Sequence, residues 1–111
     1  VMYSFHFYAA SHRSDIRQRA EYGIKKGMPL IISEFGTVRA NGDGEPDFEE
    51  SDRWMEFMDN YKLSWCNWSL FNKMETASVL TEDAEPDGKW PPSLLTASGK
   101  YIKKKIAEGA H

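Results

Sequence analysis

The hydrophobic positions of the chain form two kinds of pattern, long helical stripes and short strand-like runs. Ile16, Ala20 and Ile24 recur every four residues within a polar stretch, which predicts an amphipathic helix over residues 14–26. Two further stripes predict helices over 47–61 and 96–108. Their apolar members are Trp54, Phe57, Met58 and Tyr61 in the first, and Tyr101, Ile102 and Ile106 in the second. We therefore expect these side chains to form the buried faces of three helices.

Three short apolar runs, at 1–8, 30–34 and 64–70, predict β-strands, and a helix follows each of them. The run at 30–34 is apolar enough to predict burial on both faces. The order β-α-β-α-β-α is typical of parallel strands joined by helical crossovers, which predicts an α/β fold. Three parallel strands alone leave two open sheet edges. Because the first predicted strand also begins at residue 1, without lead-in residues, we expect a fragment of a larger parallel architecture.

Composition narrows the class of protein. The 111 residues suffice for one small domain, and contents of 41% hydrophobic and 14% aromatic residues indicate a globular chain. A net charge of −3 with both signs mixed predicts no surface for nucleic acid. The apolar runs are too short to predict a membrane span. The single cysteine, Cys66, allows neither a disulfide within the chain nor a cysteine-based metal site.

Polar and aromatic side chains gather where each predicted strand ends. Because side chains alternate across a strand, His6 and Tyr8 are expected on one face of the first strand. The same alternation places Ile32 and Glu34 on one face of the second strand, and Trp68 at the end of the third. The carboxyl ends of parallel strands are where α/β folds build their sites. The sequence therefore predicts one site at this end of the sheet.

Three segments carry a resemblance to a known family: HFYAASH at 6–12, IISEFGT at 31–37 and NWSLFNKMETAS at 67–78. They resemble the sixth, seventh and eighth βα units of glycoside hydrolase family 5, close to its bacterial endoglucanases. The resemblance covers nearly the whole chain. It implies that residues 1–111 are the C-terminal part of a catalytic (β/α)8 TIM barrel of about 250 residues or more.

The resemblance also implies a retaining endo-β-1,4-glucanase, a cellulase that hydrolyses internal bonds of a β-glucan. Glu34 matches the family's catalytic nucleophile at the end of the seventh strand, and Tyr8 matches the tyrosine that hydrogen-bonds it. His6 matches the active-site histidine of the sixth strand. Neither a cofactor nor a metal is implied, because two carboxyl groups carry the reaction. The family implies a secreted or periplasmic location.

The family's sugar-binding residues have matches as well. Trp68 matches the tryptophan that packs against the apolar face of a sugar beside the scissile bond. Lys73 and Glu75 match a pair that contacts the neighbouring glucosyl unit. His12, in the loop after the first strand, is a further and weaker candidate for a sugar contact. Residues 71–72 are Phe-Asn where serine and aspartate are common, so contacts near Lys73 are expected to differ.

One half of the catalytic pair has no match. The family's acid/base glutamate lies in an Asn-Glu motif on the fourth strand, and no Asn-Glu pair occurs in these 111 residues. We expect either the N-terminal barrel part or a second copy of the chain to complete the site. The alternative is a catalytically incomplete half-barrel that binds β-glucan or self-associates without turnover. Specificity for mannan or xyloglucan within the same fold also stays open.

Several residues have structural interpretations that compete with these roles. Glu34 alternatively forms an ion pair with Arg39, and Trp68 alternatively packs in the core. The acidic run at 43–52 fails the EF-hand spacing, so we interpret it as the start of a helix, where carboxylates complement the dipole. Packing or loop anchoring is predicted for the other tryptophans, Trp54, Trp65 and Trp90.

Overall fold

The computed structural model describes residues 1–109 and contains the predicted alternation of strands and helices. The elements are β1 (Tyr3–Tyr8), α1 (Ser14–Lys25), β2 (Leu30–Gly36), α2 (Phe48–Asn60), β3 (Trp65–Asn67), a short 3-10 helix (Pro92–Leu94) and α3 (Ala97–Gly109). The third strand is therefore shorter than the predicted run over 64–70. His111, to which the sequence assigns no role, lies outside the described residues.

The three strands form one sheet in the order β1-β2-β3, with both neighbouring pairs parallel. This confirms the α/β prediction. The register between β1 and β2 changes at one point: Phe5 lies opposite Ile32, but His6 lies opposite Glu34. Ser33 is thus an extra residue in β2, which is the definition of a β-bulge.

The core lies between the sheet and the helices. Phe7 and Trp54 are both fully buried, and their rings stack with centroids 3.9 Å apart. Phe35 stacks on Phe7 from the neighbouring strand at 5.0 Å. Side chains from all three helices, including Ala20 and Ile102, join the same cluster. The helices therefore cover one common face of the sheet.

The other sheet face is open in the described part of the chain. Ser4, His6, Ser33 and Cys66 are all exposed there. The prediction that residues 30–34 are buried on both faces is therefore wrong. A run of apolar residues reports that a strand is largely covered, but it does not report whether the covering element belongs to the same 111 residues.

Helix α2 is tied to its surroundings by charge as well as by packing. Asp47 caps its N-terminus by accepting a hydrogen bond of 2.9 Å from the backbone N–H of Glu50. Glu50 itself is buried, and Arg17 of α1 donates to it at 2.6 Å. The acidic run before α2 therefore begins a helix, as the sequence predicts, and it also joins α1 to α2.

Helix α3 follows the prediction only along its first turns. Ile102 is buried in the core, and the hydroxyl of Tyr101 donates to Asp52 at 2.8 Å. Ile106, which the helical spacing predicts on the buried side, is 56% exposed. Helical spacing identifies which face points toward the core, but it does not show how far along the helix the core extends. Within residues 1–109, no helix has both the length and the apolar character that crossing a membrane requires.

Candidate active site

A carboxylate is held at the carboxyl end of the sheet by two residues of the neighbouring strand. The hydroxyl of Tyr8 donates to Oε1 of Glu34 at 2.6 Å, and Nδ1 of His6 lies 3.4 Å from Oε2. The side chain of Glu34 is 27% exposed, so one side of the carboxylate stays accessible. The structure therefore brings together the three residues that the sequence places at the ends of two strands.

The bulge at Ser33 explains how Glu34 reaches these partners. Ile32 is fully buried in the core, whereas Glu34 meets His6 and Tyr8 away from that core. The prediction that Ile32 and Glu34 share a face is therefore wrong. Strict alternation fails here because the extra residue in β2 shifts every later side chain by one position.

Burial and charge keep Tyr8 in its protonated, donating form. Burial of the phenol raises the pKa of Tyr8 well above its ordinary value of 10.0, and the hydrogen bond to the Glu34 carboxylate raises it further. The negative charges of Glu34 and Glu75 act in the same direction. Tyr8 is thus a permanent hydrogen-bond donor to Glu34 across the physiological pH range.

His12 lies in the loop after β1 and binds the main chain. Its Nδ1 accepts a hydrogen bond of 2.8 Å from the backbone N–H of Tyr8. Its carbonyl oxygen accepts the indole N–H of Trp54, also at 2.8 Å. These bonds fix the loop to β1 and to α2. They give His12 a structural task, while its predicted sugar contact stays a prediction.

Trp68 follows β3 and is 45% exposed, which argues against a place in the core. Its backbone N–H donates to the carbonyl of Phe35 at 2.8 Å, so the residue is anchored to β2. Its ring meets that of Phe71 edge-on, with centroids 6.1 Å apart. An anchored aromatic ring with an exposed surface has the properties of a platform for an apolar sugar face.

Lys73 and Glu75 form an ion pair of 3.1 Å in the long loop after β3. Beside it lies a cavity of about 560 Å³ whose lining includes both residues as well as Asp43 and Ser98. The walls therefore combine carboxylate, ammonium and hydroxyl groups, which are the groups that hydrogen-bond sugar hydroxyls.

A turn from the loop after β2 supports this ion pair, a role that the sequence pattern does not predict. Asp43 accepts hydrogen bonds of 3.0 Å from the backbone N–H and the hydroxyl of Thr76. The carbonyl of Gly42 accepts the backbone N–H of Ala77 at 3.1 Å. Gly42 has φ of +85°, and a Cβ there would lie 3.3 Å from Oε1 of Glu75. The glycine-rich segment predicts a turn, but no feature of the neighbouring sequence predicts that this turn contacts the loop after β3.

The geometry distinguishes between the alternative roles of Glu34 and of the tryptophans. Glu34 contacts His6, and the ion pairs described for residues 1–109 include none between Glu34 and Arg39. Trp54 is fully buried, and Trp65 meets Phe35 edge-on at 5.3 Å, which confirms their packing roles. Trp90 donates its indole N–H to the carbonyl of Glu85 at 2.7 Å, as expected of a loop anchor.

The part of the chain that the structure describes contains no cluster of three or more histidine, cysteine, aspartate or glutamate side chains arranged to hold a metal ion. At the end of the sheet, the described residues place the Glu34 carboxylate next to Tyr8 and His6, and Trp68 directly follows β3.

Comparison with known proteins decides the family. Residues 1–74 match the family model described as cellulase, glycosyl hydrolase family 5. The chain belongs to glycosyl hydrolase family 5. The fold of this family is a (β/α)8 barrel, and the three parallel strands are a piece of such a barrel.

The family 5 relatives are similar along the whole chain. Endoglucanase A of Evansella cellulosilytica is 42% identical over 110 residues, which are 99% of this chain and 22% of the relative. Endoglucanase 5 of Pectobacterium carotovorum is 39% identical and is aligned with 100% of this chain and 22% of its own length. The chain thus spans less than a quarter of these curated relatives.

Solved structures agree with the family 5 assignment. A protein from Cytophaga hutchinsonii superimposes with a TM-score of 0.94 at 39% identity, covering 96% of this chain and 35% of that one. The catalytic domain of a Thermobifida fusca endoglucanase in complex with cellotetraose gives a TM-score of 0.89 at 33% identity, with 96% and 35% covered. A β-mannanase from Streptomyces thermolilacinus, at 20% identity and a TM-score of 0.68, shares the fold.

Proposed function

We propose that the chain is the C-terminal part of the catalytic barrel of a retaining endo-β-1,4-glucanase and supplies its sixth to eighth strands. The observation that carries this proposal is the Glu34 carboxylate, which Tyr8 and His6 hold at the end of β2 with one side accessible. A carboxylate in that position suits a nucleophile in glycoside hydrolysis. The membership in family 5 supports the same interpretation.

In the proposed reaction, Glu34 attacks the anomeric carbon of a β-glucoside. The bond to the leaving oxygen breaks while a second carboxyl group, about 5–5.5 Å away, donates its proton to that oxygen. Water then attacks the resulting glycosyl-enzyme ester, with the second carboxylate accepting the proton, and the configuration is retained. The second carboxyl group comes from barrel units outside these 111 residues, since the family motif that provides it does not occur here.

The other site residues bind and orient the proposed substrate. Trp68 packs against the sugar beside the scissile bond, and the ion pair of Lys73 and Glu75 hydrogen-bonds the next glucosyl unit. The substrate class is a β-glucan, which is supported by the cellotetraose bound to the Thermobifida fusca relative. A polymer of this kind requires the working protein to act outside the cytoplasm, so a secreted or periplasmic location belongs to the proposal.

A second candidate function applies to the 111 residues alone, and the open sheet face favours it. The exposed large apolar side chains also include Met2 at 60%, Leu70 at 64% and Met74 at 78%. In this alternative the chain binds β-glucan or associates with a copy of itself and does not turn over. Light scattering distinguishes a monomer, whose mass is 12.8 kDa, from a self-associated form, whose mass is a multiple of this value.

The experiment that tests the proposed function is covalent labelling by a 2-deoxy-2-fluoro-β-cellobioside with a dinitrophenyl leaving group. This leaving group departs without a general acid, so the reaction reports on the nucleophile alone. We expect one label per chain, mapped to Glu34 by peptide mass spectrometry. The variant Glu34→Gln should not react, and the matched control Glu56→Gln, changed at an exposed position of α2, should react normally.

Two results would contradict the proposal. One is a folded chain that takes up no label; the other is a label on a residue other than Glu34. The same chain should hydrolyse cellulose weakly, because loss of general acid catalysis lowers rates by roughly 10²–10⁴-fold. Rapid cellulose turnover by a chain that light scattering shows to be monomeric would refute the division of the site between two parts of the barrel.

A further inference from the structure

Two serines bind the imidazole of His6 on the side away from Glu34. The hydroxyl of Ser33 lies 2.9 Å from Nε2 of His6, and the hydroxyl of Ser4 lies 3.3 Å from the same nitrogen. The two hydroxyls also hydrogen-bond each other. His6 therefore stands between a pair of hydroxyls and a carboxylate.

The bulge in β2 makes this arrangement possible. Successive side chains of a regular strand point to opposite faces, so two neighbouring residues cannot normally contact one ring. At the bulge the consecutive residues Ser33 and Glu34 both reach His6, the first at Nε2 and the second at Nδ1. Bulges beside active sites are known to redirect side chains in this way.

The contacts of the ring select one tautomer. A carboxylate only accepts hydrogen bonds, so a hydrogen on Nδ1 is attracted to Glu34, whereas a lone pair there is repelled. A neutral imidazole carries one hydrogen, and with Nδ1 protonated its Nε2 becomes an acceptor. The Ser33 hydroxyl, at 2.9 Å, then donates to Nε2. Ser4 donates in turn to the Ser33 oxygen.

His12 provides the opposite case within the same chain. Its Nδ1 accepts the backbone N–H of Tyr8, so its hydrogen must sit on Nε2. The two histidines of the site region are therefore held in different tautomers by different donors. This contrast gives an internal reference for measuring the state of His6.

We infer that Ser33 is a positioning residue of the active site, which fixes His6 as the Nδ1–H tautomer and so makes it the second donor group facing Glu34. This inference rests on the proposed function for its catalytic meaning, because Glu34 is taken as the nucleophile. Ser33 does not touch the carboxylate in this role; it acts through the imidazole. Ser4 has the lesser part, since it lies farther from Nε2 and contacts Ser33.

The tautomer is measured directly by nitrogen-15 NMR of the histidine rings in the 111-residue chain. The spectra are recorded at pH 9, and in a neutral ring one nitrogen is protonated and the other is not. The signals of His6 are assigned by their loss in His6→Ala. We expect the hydrogen of His6 on Nδ1 and that of His12 on Nε2.

Variants of Ser33 separate a positioning role from a merely structural one. Ser33→Ala should move His6 toward the Nε2–H form while His12 keeps its tautomer, and Ser33→Thr should restore the Nδ1–H form because it keeps the hydroxyl. Ser33→Ala should also slow the labelling of Glu34 about fivefold, the change that one ordinary hydrogen bond produces. The matched control Ser93→Ala, at an exposed position of the 3-10 helix, should change neither quantity.

The inference is overturned if His6 carries its hydrogen on Nε2 in the unchanged chain, or if Ser33→Ala leaves the ring signals as they were. Failure of the proposed function looks different. In that case Glu34 takes up no label in any variant, while the tautomers of His6 still follow the presence or absence of the Ser33 hydroxyl.

Discussion

Replacing Tyr8 by phenylalanine removes one hydroxyl and leaves the buried ring in place. The lost hydrogen bond joins β1 to β2 and ends on the Glu34 carboxylate at 2.6 Å. Hydrogen bonds to charged groups contribute about 1.5–3 kcal/mol to stability. Because the Glu34 side chain is 27% exposed, we expect a loss in the lower part of that range. Tyr8→Phe should therefore lower the free energy of unfolding by about 1.5–2 kcal/mol at pH 8.

The difference in the free energy of unfolding between the unchanged chain and Tyr8→Phe should become smaller at alkaline pH. The pKa of Tyr8 is raised in the folded chain by burial and by the bond to Glu34, while in the unfolded chain it stays near 10.0. The stabilisation by Tyr8 is therefore fully present below pH 10 and is lost as the pH rises, because only the unfolded state releases the proton. At pH 11 this loss amounts to about 1.4 kcal/mol. Other groups titrate alike in both proteins and cancel in the difference.

Urea unfolding followed by circular dichroism measures this difference at pH 8, 10 and 11. We expect the free energy of unfolding of Tyr8→Phe to approach that of the unchanged chain at pH 11. The matched control Tyr3→Phe, at the exposed start of the same strand, should lie within about 0.5 kcal/mol of the unchanged chain at pH 8. A gap for Tyr8→Phe that stays constant from pH 8 to 11 would refute the assignment of Tyr8 as a buried, protonated donor.

Three further variants test other parts of the structure. Glu50→Gln should lower the free energy of unfolding by about 3 kcal/mol at pH 7, since it breaks a buried ion pair with Arg17. Burial raises the pKa of Glu50, but the arginine hydrogen bonds outweigh it and hold the pKa below 4.5, so urea unfolding should show the gap closing as the pH falls through the carboxyl range. Gly42→Ala should lower the free energy of unfolding by about 1–2 kcal/mol, because residue 42 has a positive φ. The added Cβ should also crowd Glu75, so calorimetry should show weaker cellotetraose binding while the labelling of Glu34 persists. Trp68→Ala should weaken the same binding about tenfold with an unchanged urea midpoint, and equal binding would exclude the platform role.

Much of the fold follows from the sequence because it depends on local periodicity. The spacing of Ile16, Ala20 and Ile24 and the stripe around Trp54 identify helices and their buried faces, and the structure agrees. The alternation of strands and helices is sufficient to predict a parallel sheet, because helical crossovers return the chain in the same direction. The family was likewise predicted from three short segments and is confirmed.

The candidate site was predictable only as a list of residues. Glu34, His6 and Tyr8 stand at strand ends, and that position suffices to expect them near each other. The contact of Ser33 with His6 was not predictable, because it depends on the β-bulge in β2 and no pattern in the run at 30–34 predicts a bulge.

The sequence by itself determined the order of the elements, the buried helical faces and the identity of the strand-end residues, since each of these follows from near neighbours in the chain. Only the tertiary structure decided that Ser33 and Glu34 both face His6, that Asp43 binds Thr76 across two loops, and that Ile106 lies beyond the core. These features depend on residues distant in sequence, and their energies come from register and packing between elements. The spacing of residues within one element contains no information about strand register or about packing between elements.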